Sequence, residues 1–296
     1  MSKPGQKAGR VSIGVIGGSG LYEMEGLTRI KTIKINTPFG KPSDSFIVGT
    51  LFGKRIAFLP RHGRGHRIMP TDINYRANVY GMKKLGVERI ISVSAVGSMK
   101  EEIEPGHIVI PDQFYDHTKH RRSTFFGGGI VAHVGMAEPT CASLSEILYQ
   151  SGTTAGAIVH RSGTYLCMEG PQFSSRAESL IYRTWNADVI GMTNATEAKL
   201  AREAEICYST IALATDYDCW HQSEEVVTVE AVLAVMKRNI DTSKHMIREA
   251  VRMLPENRTC SCSQALKNTI MTPETLIPAK TKRDLAPIIG KYLKNI

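Results

Sequence analysis

The amino-acid sequence predicts an α/β fold in which the chain forms one domain, a β-sheet with helices packed against it. Short apolar segments without polar alternation recur along the chain, which is typical of strands covered on both faces. Amphipathic helical segments separate them, and no internal repeat or low-complexity stretch interrupts the pattern. The 296 residues, of which 42% are hydrophobic, suffice to bury one large core.

Two loops beside predicted strands carry groups suited to an anion. The strand predicted at 11–20 ends in glycines with free backbone N–H groups, and Ser19 adds a hydroxyl. This is not a dinucleotide fingerprint, because Glu23 stands where its third glycine would fall. Residues 61–66, RHGRGH, follow another strand and predict an exposed cationic loop suited to phosphate. A plain tight turn and a solvated loop are the alternatives.

The elements of the first half follow from turn residues and spacing. The segment 36–60 predicts antiparallel strands with a hairpin around residues 52–54. Helical spacing over 74–84, closed by Gly86, predicts the first helix. A buried strand is predicted at 89–99, and a further helix at 139–149.

The second half repeats this alternation. A strand ends near Met168, and Ser175 and Glu178 form a capping box that opens a helix. A short buried strand is predicted over 187–193 and a helix over 194–205.

In the stretch TIALATDYDCW at 210–220, an apolar run ends at two carboxylates, Asp216 and Asp218. In open α/β sheets ligands bind beyond the carboxyl ends of the strands, so these acids are candidates for chemistry. A turn residue and a solvated loop charge are the alternatives. Thr228 is predicted to cap a long amphipathic helix, and the polar tail from Pro255 to wrap on the body or on a partner subunit.

Charge and hydropathy narrow the class of function. The net charge of +9 is spread along the chain without a long basic run, which argues against nucleic acid as a partner. No apolar run is long enough for a membrane span, and the N-terminus lacks the apolar core of a signal peptide. We therefore expect a cytoplasmic protein without a membrane partner.

Six cysteines are too few and too scattered for a disulfide-built fold. For the pair Cys260 and Cys262 we favour two free thiols over a disulfide or a redox pair. A zinc site needs two further ligands, and none stands near the pair in sequence, so no metal is predicted.

Eight segments in order over residues 11–250 together resemble one family. The chain is similar to the 5′-methylthioadenosine phosphorylases of the trimeric purine nucleoside phosphorylase superfamily. The segments are GGSGLYE, TPFGKPSD, RHGRGHRIMP, NYRAN, AVGSMKEEIEPG, EGPQFSSRAES, DVIGMT and ATDYDCW.

The resemblance implies the nucleoside phosphorylase type I fold, one α/β domain with a central mixed β-sheet, spanning residues 11–256. It also implies a homotrimer with sites near the subunit interfaces, and a tail at 257–296 that packs on the same or a neighbouring subunit. The implied reaction is phosphorolysis of 5′-methylthioadenosine to adenine and 5-methylthioribose 1-phosphate, in purine and methionine salvage. Phosphate is a co-substrate, and no cofactor is implied.

The resemblance also assigns site residues by position. Asp216 and Asp218 are implied to be catalytic, at the base. The implied phosphate-binding residues are Ser19, Arg61, His62, Ser94, Ala95 and Thr193. The implied substrate-binding residues are Phe173, Ser174, Met192, Val229, Val232 and His133, with Leu276 and His133 matching positions that a neighbouring subunit supplies.

The acid pair favours adenine as the base. A carboxylic acid whose pKa is raised by burial can protonate N7, and carboxylates accept from the 6-amino group of adenine. Enzymes of this superfamily that act on 6-oxo purines usually carry asparagine at the position of Asp216. A 6-oxo purine phosphorylase is nevertheless the alternative, and a non-catalytic nucleotide-binding protein is the other.

The 5′ end of the substrate is expected to meet apolar side chains, so adenosine should be a poorer substrate by roughly 1 to 3 kcal/mol. Gly65 and Gly191 replace longer polar side chains that are common in the family. We expect both glycines to widen the site.

Overall fold

The computed structural model describes residues 10–18, 20–221 and 229–294; within the last range, the side chains of 229–234, 236 and 238 are not described. The strands are β1 (Ile13–Gly17), β2 (Thr28–Ile33), β3 (Phe46–Leu51), β4 (Lys54–Pro60), β5 (Arg89–Ser98), β6 (Ile108–Val109), β7 (Gln113–Asp116), β8 (Val159–His160), β9 (Thr164–Cys167), β10 (Val189–Gly191) and β11 (Cys207–Asp216). The α-helices are α1 (Tyr75–Leu85), α2 (Ala142–Thr154), α3 (Arg176–Thr184), α4 (Asn194–Glu203), α5 (Val229–Met253) and α6 (Ala279–Ile289).

The eleven strands of the described residues all belong to one mixed sheet, as predicted. Strand β1 runs parallel to β4 and β5, and β5 runs parallel to β11. The antiparallel pairs are β2 with β3, β3 with β4, β6 with β11, and β10 with β5. The carboxyl ends of β1, β4, β5 and β11 therefore lie along one edge of the sheet, which is where open α/β sheets bind ligands.

Helices cover both faces of the sheet, which confirms the predicted single α/β domain. One apolar cluster joins α1, α4 and α6 to one face, and another joins α2 and α5 to the opposite face. The central strands β1, β3, β5 and β11 are buried along nearly their whole length; nine of the ten residues of β11 are buried. This explains why the predicted strands lacked polar alternation.

Several helix ends coincide with the local signals. Asn74 caps α1 by accepting the N–H of Ala77 at 3.1 Å, and Gly86 ends that helix with φ of 92°. Ser175 and Glu178 form the predicted capping box of α3. The helix predicted at 139–149 begins later and runs further, as α2. The predicted cap Thr228 lies outside the described residues.

The segment after α5 packs on the body of its own chain. Leu285, Ile288 and Ile289 of α6 are buried in the apolar cluster that contains α1. The Tyr80 hydroxyl of α1 donates to the carbonyl of Asp284 at 2.7 Å. Within the described ranges no helix combines the length and apolar character needed to cross a membrane.

Candidate active site

A cavity of about 360 Å³ opens at the carboxyl edge of the sheet. Strand ends and the loops that follow them supply its walls: Gly18 after β1, Arg61 after β4, and the ends of β5 and β11. Nine residues that the sequence assigned to the site line it together: Arg61, His62, Ser94, Ala95, Phe173, Met192, Thr193, Asp216 and Asp218.

The other residues that the sequence assigned to the site are not among the described residues that line the cavity. Ser174 is buried behind it, with its hydroxyl 3.8 Å from the Met168 sulfur. The backbone N–H of His133 donates to Thr269 in the segment after α5. Leu276 is largely exposed. Ser19 lies outside the described residues, as do the side chains of Val229 and Val232 on α5.

A β-bulge aims the first acid into the cavity. Strand β11 pairs with β5 residue by residue up to Ala214, and then Asp216 pairs with Gly97, so Thr215 is the extra residue. The Thr215 hydroxyl donates to Asp216 Oδ2 at 2.7 Å, and the N–H of Asp218 donates to Oδ1 at 2.8 Å. These two donors fix the orientation of the carboxyl group.

The second acid is held by a left-handed backbone and by α3. Asp218 has φ of 52°, a conformation that non-glycine residues rarely adopt. The Ser179 hydroxyl donates to Asp218 Oδ2 at 2.5 Å. Gly97 leaves room for both acids, because a Cβ there would lie 3.0 Å from Asp216 Oδ1 and 3.3 Å from the Cβ of Asp218.

The pKa values of both acids are raised above those of an ordinary aspartate. Burial raises the pKa of Asp216, against the opposing hydrogen bonds from Thr215 and Asp218. Burial also raises the pKa of Asp218, and the neighbouring Asp216 charge adds to this while Ser179 opposes it. A carboxyl group with a raised pKa at the end of a cavity is suited to donate a proton.

The loop at 61–66 differs from the predicted exposed cationic loop, because Arg61 is buried. Its guanidinium pairs with Glu197 of α4, with Nε 2.5 Å from Oε1 and Nη2 3.1 Å from Oε2. Nη1 donates to the Val93 carbonyl, and Nη2 to the Ser92 hydroxyl. Burial opposes the charge on Arg61, yet Glu197 raises its pKa above the ordinary value. Arg61 is therefore a fixed cation in the cavity wall.

His62 is neutral. Its Nδ1 lies 2.8 Å from the carbonyl of Ile68, and because a carbonyl only accepts, Nδ1 carries the proton and Nε2 is the acceptor. Burial and the nearby Arg61 charge lower the pKa of His62 to about 4. The ring stacks on His66, with centroids 4.2 Å apart. His66 also lines the cavity; the sequence analysis placed it in the loop at 61–66 but did not assign it to the site.

Tyr165 occupies the space that Gly191 leaves. A Cβ at Gly191 would lie 1.9 Å from the Tyr165 hydroxyl oxygen, and that hydroxyl lies 3.4 Å from Ser94 Oγ. The prediction that Gly191 widens the site is therefore wrong, because a fully buried tyrosine fills the space. Gly65 is not among the described residues that line the cavity, and its effect on the width of the site stays a prediction.

The opposite wall carries apolar side chains. Met192 packs closely on Gly170, where a Cβ would lie 2.5 Å from the Met192 sulfur and φ is 68°. Phe173 stands at the mouth of the cavity and is 72% exposed. Ile240 of α5 completes this wall.

Arg121 holds the backbone of this wall and was missed by the sequence analysis. Its guanidinium donates to the carbonyls of Met192 and Glu169, and its Nε lies 3.1 Å from the Glu169 carboxylate. No local pattern marks Arg121, because it lies in a loop far from both partners in sequence.

Residues that could bind a metal ion lie together at a second place, away from the cavity. Within the described part of the chain, one group of at least three potential ligands lies close together, and it consists of Cys141, Cys207, Cys260 and Cys262. Cys207 begins β11, so this group lies toward the sheet edge opposite the cavity. In sequence no further ligand stands near Cys260 and Cys262, but folding brings two to them.

The candidate active site is thus a cavity at the carboxyl edge of a mixed sheet, lined by a fixed cation and by two acids whose pKa values are raised. The family model of the phosphorylase superfamily matches residues 12–252, and the chain belongs to this superfamily. Within it, the chain belongs to the S-methyl-5′-thioadenosine phosphorylases. The relative of that name from Geobacter sulfurreducens is 63% identical, over 95% of this chain and 99% of its own. The relative of that name from Koribacter versatilis is 56% identical, over 96% and 97%.

Solved structures agree with this assignment. A methylthioadenosine phosphorylase sourced from an antarctic soil metagenomic library superposes with a TM-score of 0.91 at 48% identity, covering 94% of this chain and 99% of that one. An S12T mutant of the adenosine/methylthioadenosine phosphorylase of Schistosoma mansoni, in complex with methylthioadenosine, gives a TM-score of 0.81 at 34% identity. It covers 87% of this chain and 96% of its own.

Proposed function

We propose that the protein cleaves 5′-methylthioadenosine with inorganic phosphate, giving adenine and 5-methylthioribose 1-phosphate, in purine and methionine salvage. The observation that carries this proposal is the pair Asp216 and Asp218, half-buried with raised pKa values in the cavity that Arg61 also lines. The cavity volume lies in the range of small-molecule sites, about 300–1,000 Å³.

The two groups of residues match the two charges of the reaction. As the bond from C1′ to N9 breaks, the sugar becomes positive and the purine negative. The carboxyl proton of Asp216 passes to N7 and neutralises the leaving base. A phosphate oxygen forms the new bond to C1′, so the sugar leaves as its 1-phosphate.

We assign the phosphate to the side of the cavity formed by Arg61, His62, Ser94, Ala95 and Thr193. Arg61 supplies the fixed charge, and the hydroxyls of Ser94 and Thr193 donate hydrogen bonds. Neutral His62 accepts through Nε2, which suits a protonated phosphate oxygen. Ser19 belongs to the same group by its position in sequence.

We assign the nucleoside to the apolar wall. Met192 contacts the ribose, and Phe173, exposed at the mouth, becomes covered when the base stacks against it. Ser174 supports this side from behind. Val229 and Val232 are assigned to the 5′ group by their position in sequence, in the first turns of α5.

The test is base release from methylthioadenosine, adenosine and inosine, each with and without phosphate. We expect phosphate-dependent cleavage of methylthioadenosine, slower cleavage of adenosine and little of inosine. Cleavage without phosphate would identify a nucleosidase instead. Faster cleavage of inosine than of methylthioadenosine would establish the alternative, a purine nucleoside or methylthioinosine phosphorylase acting on 6-oxo purines. No base release from any substrate would leave a nucleotide-binding protein.

We also propose a homotrimer, in which His133 and Leu276 complete the site of a neighbouring subunit. Two sets of exposed apolar side chains, grouped by segment of the chain, support a head-to-tail contact. One consists of Val131, Met271 and Leu276, and the other of Phe173, Leu180, Ile181 and Trp185. Native mass spectrometry tests the assembly, and a Leu276→Asp chain that stays trimeric and fully active would contradict this role.

The remaining expectations concern partners and location. We propose a cytoplasmic enzyme that acts without an organic cofactor or a catalytic metal, and without nucleic acid or membrane partners. All six cysteines are free thiols, which suits a reducing compartment. Residues 11–256 form the proposed catalytic domain, and 257–296 the proposed tail.

A further inference from the structure

Four cysteines from three distant parts of the chain converge at one point. The sulfur atoms of Cys141, Cys207, Cys260 and Cys262 all lie within 4.8 Å of one another. The sulfurs of Cys207 and Cys260 are 3.3 Å apart, well beyond the 2.03–2.05 Å of a disulfide bond. The four are free thiols, and three of them are buried. The reaction of the enzyme uses none of them.

This spacing fits a tetrahedral metal. With zinc–sulfur bonds of about 2.3 Å, the sulfurs of a tetrahedral site lie about 3.8 Å apart. The measured separation of 3.3 Å between Cys207 and Cys260, and the upper limit of 4.8 Å for all four sulfurs, are compatible with this distance. Four thiolates around one position are the ligand set of zinc or of iron.

Ordered elements hold each ligand. Cys207 is the first residue of β11, and Cys141 is the N-cap residue of α2. Cys260 precedes a 3-10 turn, Ser261–Gln264, that contains Cys262. The backbone N–H of Cys141 donates to the carbonyl of Tyr208, which ties α2 to β11 beside the cluster. Cys260 is partly exposed and provides an entry side for a metal.

The surroundings suit a negative charge. Zinc with four thiolates carries a net charge of −2, and Arg258 Nη1 lies 4.0 Å from the sulfur of Cys207. That guanidinium is fixed by the carbonyls of Glu88 and Glu205. Cys141 faces the positive end of the α2 dipole, which favours its thiolate.

We propose that Cys141, Cys207, Cys260 and Cys262 form a structural zinc site that fastens the segment after α5 to β11 and α2. Four protein ligands leave no open coordination position, which is the arrangement of structural and not of catalytic zinc. Binding of Zn²⁺ displaces the four thiol protons to solvent, so the site forms only in the reduced protein.

The site is separate from the chemistry of the cavity. Cys207 and Asp216 lie at opposite ends of the ten residues of β11, which span about 30 Å at 3.3 Å per residue. Removal of the metal should therefore lower thermal stability without changing kcat/KM at a temperature where the protein stays folded.

The experiment measures metal in the full-length protein, purified under reducing conditions without chelator. We expect about one zinc per chain in the natural protein, loss of zinc in Cys207→Ser, and full zinc in Cys219→Ser, whose thiol lies outside the cluster. Zinc retained in Cys207→Ser would overturn the assignment, and so would iron in its place.

A second measurement does not depend on the variants. The natural protein, reduced and stripped of metal, is titrated with Co²⁺, and we expect the intense visible absorption of tetrahedral cobalt thiolate, lost on addition of Zn²⁺. Alkylation of the unfolded protein gives the number of free thiols and so detects any disulfide among the four cysteines. Two disulfides among these four residues under reducing conditions, or reduced protein that binds neither metal, would overturn the proposal. A lowered kcat/KM after zinc removal would overturn its structural role.

Discussion

Replacing Asp216 by asparagine removes the proposed proton donor while keeping the shape of the side chain. The carboxyl group accepts from the Asp218 N–H on Oδ1 and from the Thr215 hydroxyl on Oδ2. An amide keeps the first bond through its oxygen and turns its NH₂ toward Thr215, whose hydroxyl can rotate to accept. The substitution therefore costs at most about one hydrogen bond of stability, roughly 0.5–1.5 kcal/mol.

The loss of activity should be much larger. A positioned general acid contributes about 10²–10⁴-fold, equal to about 3–5 kcal/mol of transition-state stabilisation. We expect kcat/KM for methylthioadenosine to fall by this factor in Asp216→Asn, and the preference to shift toward 6-oxo purines. The assay is initial-rate base release from methylthioadenosine and methylthioinosine at saturating phosphate.

Asp112→Asn is the matched control, because this exposed aspartate also accepts one backbone N–H, that of Gly163 at 3.1 Å. It precedes β7, away from the cavity, and should keep full activity. The pH profile adds a second criterion. Because the pKa of Asp216 is raised and the protonated form is active, kcat/KM should fall as pH rises through that pKa, and the fall should vanish in Asp216→Asn. Unchanged activity and selectivity in Asp216→Asn would refute the assignment of the base site.

Gly97→Ala places a Cβ 3.0 Å from Asp216 Oδ1, so kcat/KM should fall roughly tenfold or more. The control Gly135→Ala, which has open space around it, should leave kcat/KM unchanged. Equal rates in the two variants would contradict the close packing of the acids. Tyr165→Phe removes the hydroxyl beside Ser94, so the KM for phosphate should rise a few-fold, at about 1 kcal/mol for the lost contact. The control Tyr80→Phe, whose hydroxyl bonds the segment after α5, should leave that KM unchanged. For His62 the folded-state pKa is about 4 against an ordinary 6.5, so its contribution to stability is present above pH 6.5 and is lost as pH falls toward 4. His62→Asn should flatten the decline of Tm over that interval, and a parallel decline in both proteins would show that His62 is not responsible.

The sequence was sufficient for the residues that follow strands and carry their own chemistry. Asp216 and Asp218 end a buried strand, and His62 follows another, so parallel pairing of those strands alone brings them to one edge. The contacts that orient the site residues and shift their pKa values could not be predicted from the sequence. Glu197 pairs with Arg61 although 136 residues separate them, and no local sequence pattern at either residue indicates the pair.

The same limit explains the glycine at 191. From sequence, the loss of a side chain next to the phosphate group predicts a wider site. In the fold, the ring of Tyr165 crosses from the neighbouring strand β9 and fills the space, and its hydroxyl comes near Ser94. The glycine at 191 makes room for the tyrosine on the paired strand, and this is seen only from the register of β9 against β10.

Strand β11 connects the two sites of the molecule. Its carboxyl end carries the bulge that aims Asp216, and its amino end carries Cys207. Pairing with β5 is unbroken from Cys207 to Ala214, so β5 holds the strand in register between the two sites. A metal at Cys207 would restrain β11 at the end where α2 and the segment after α5 meet it. Strand pairing with β5 already fixes the acids at moderate temperature, so that restraint should matter for activity only near the unfolding temperature.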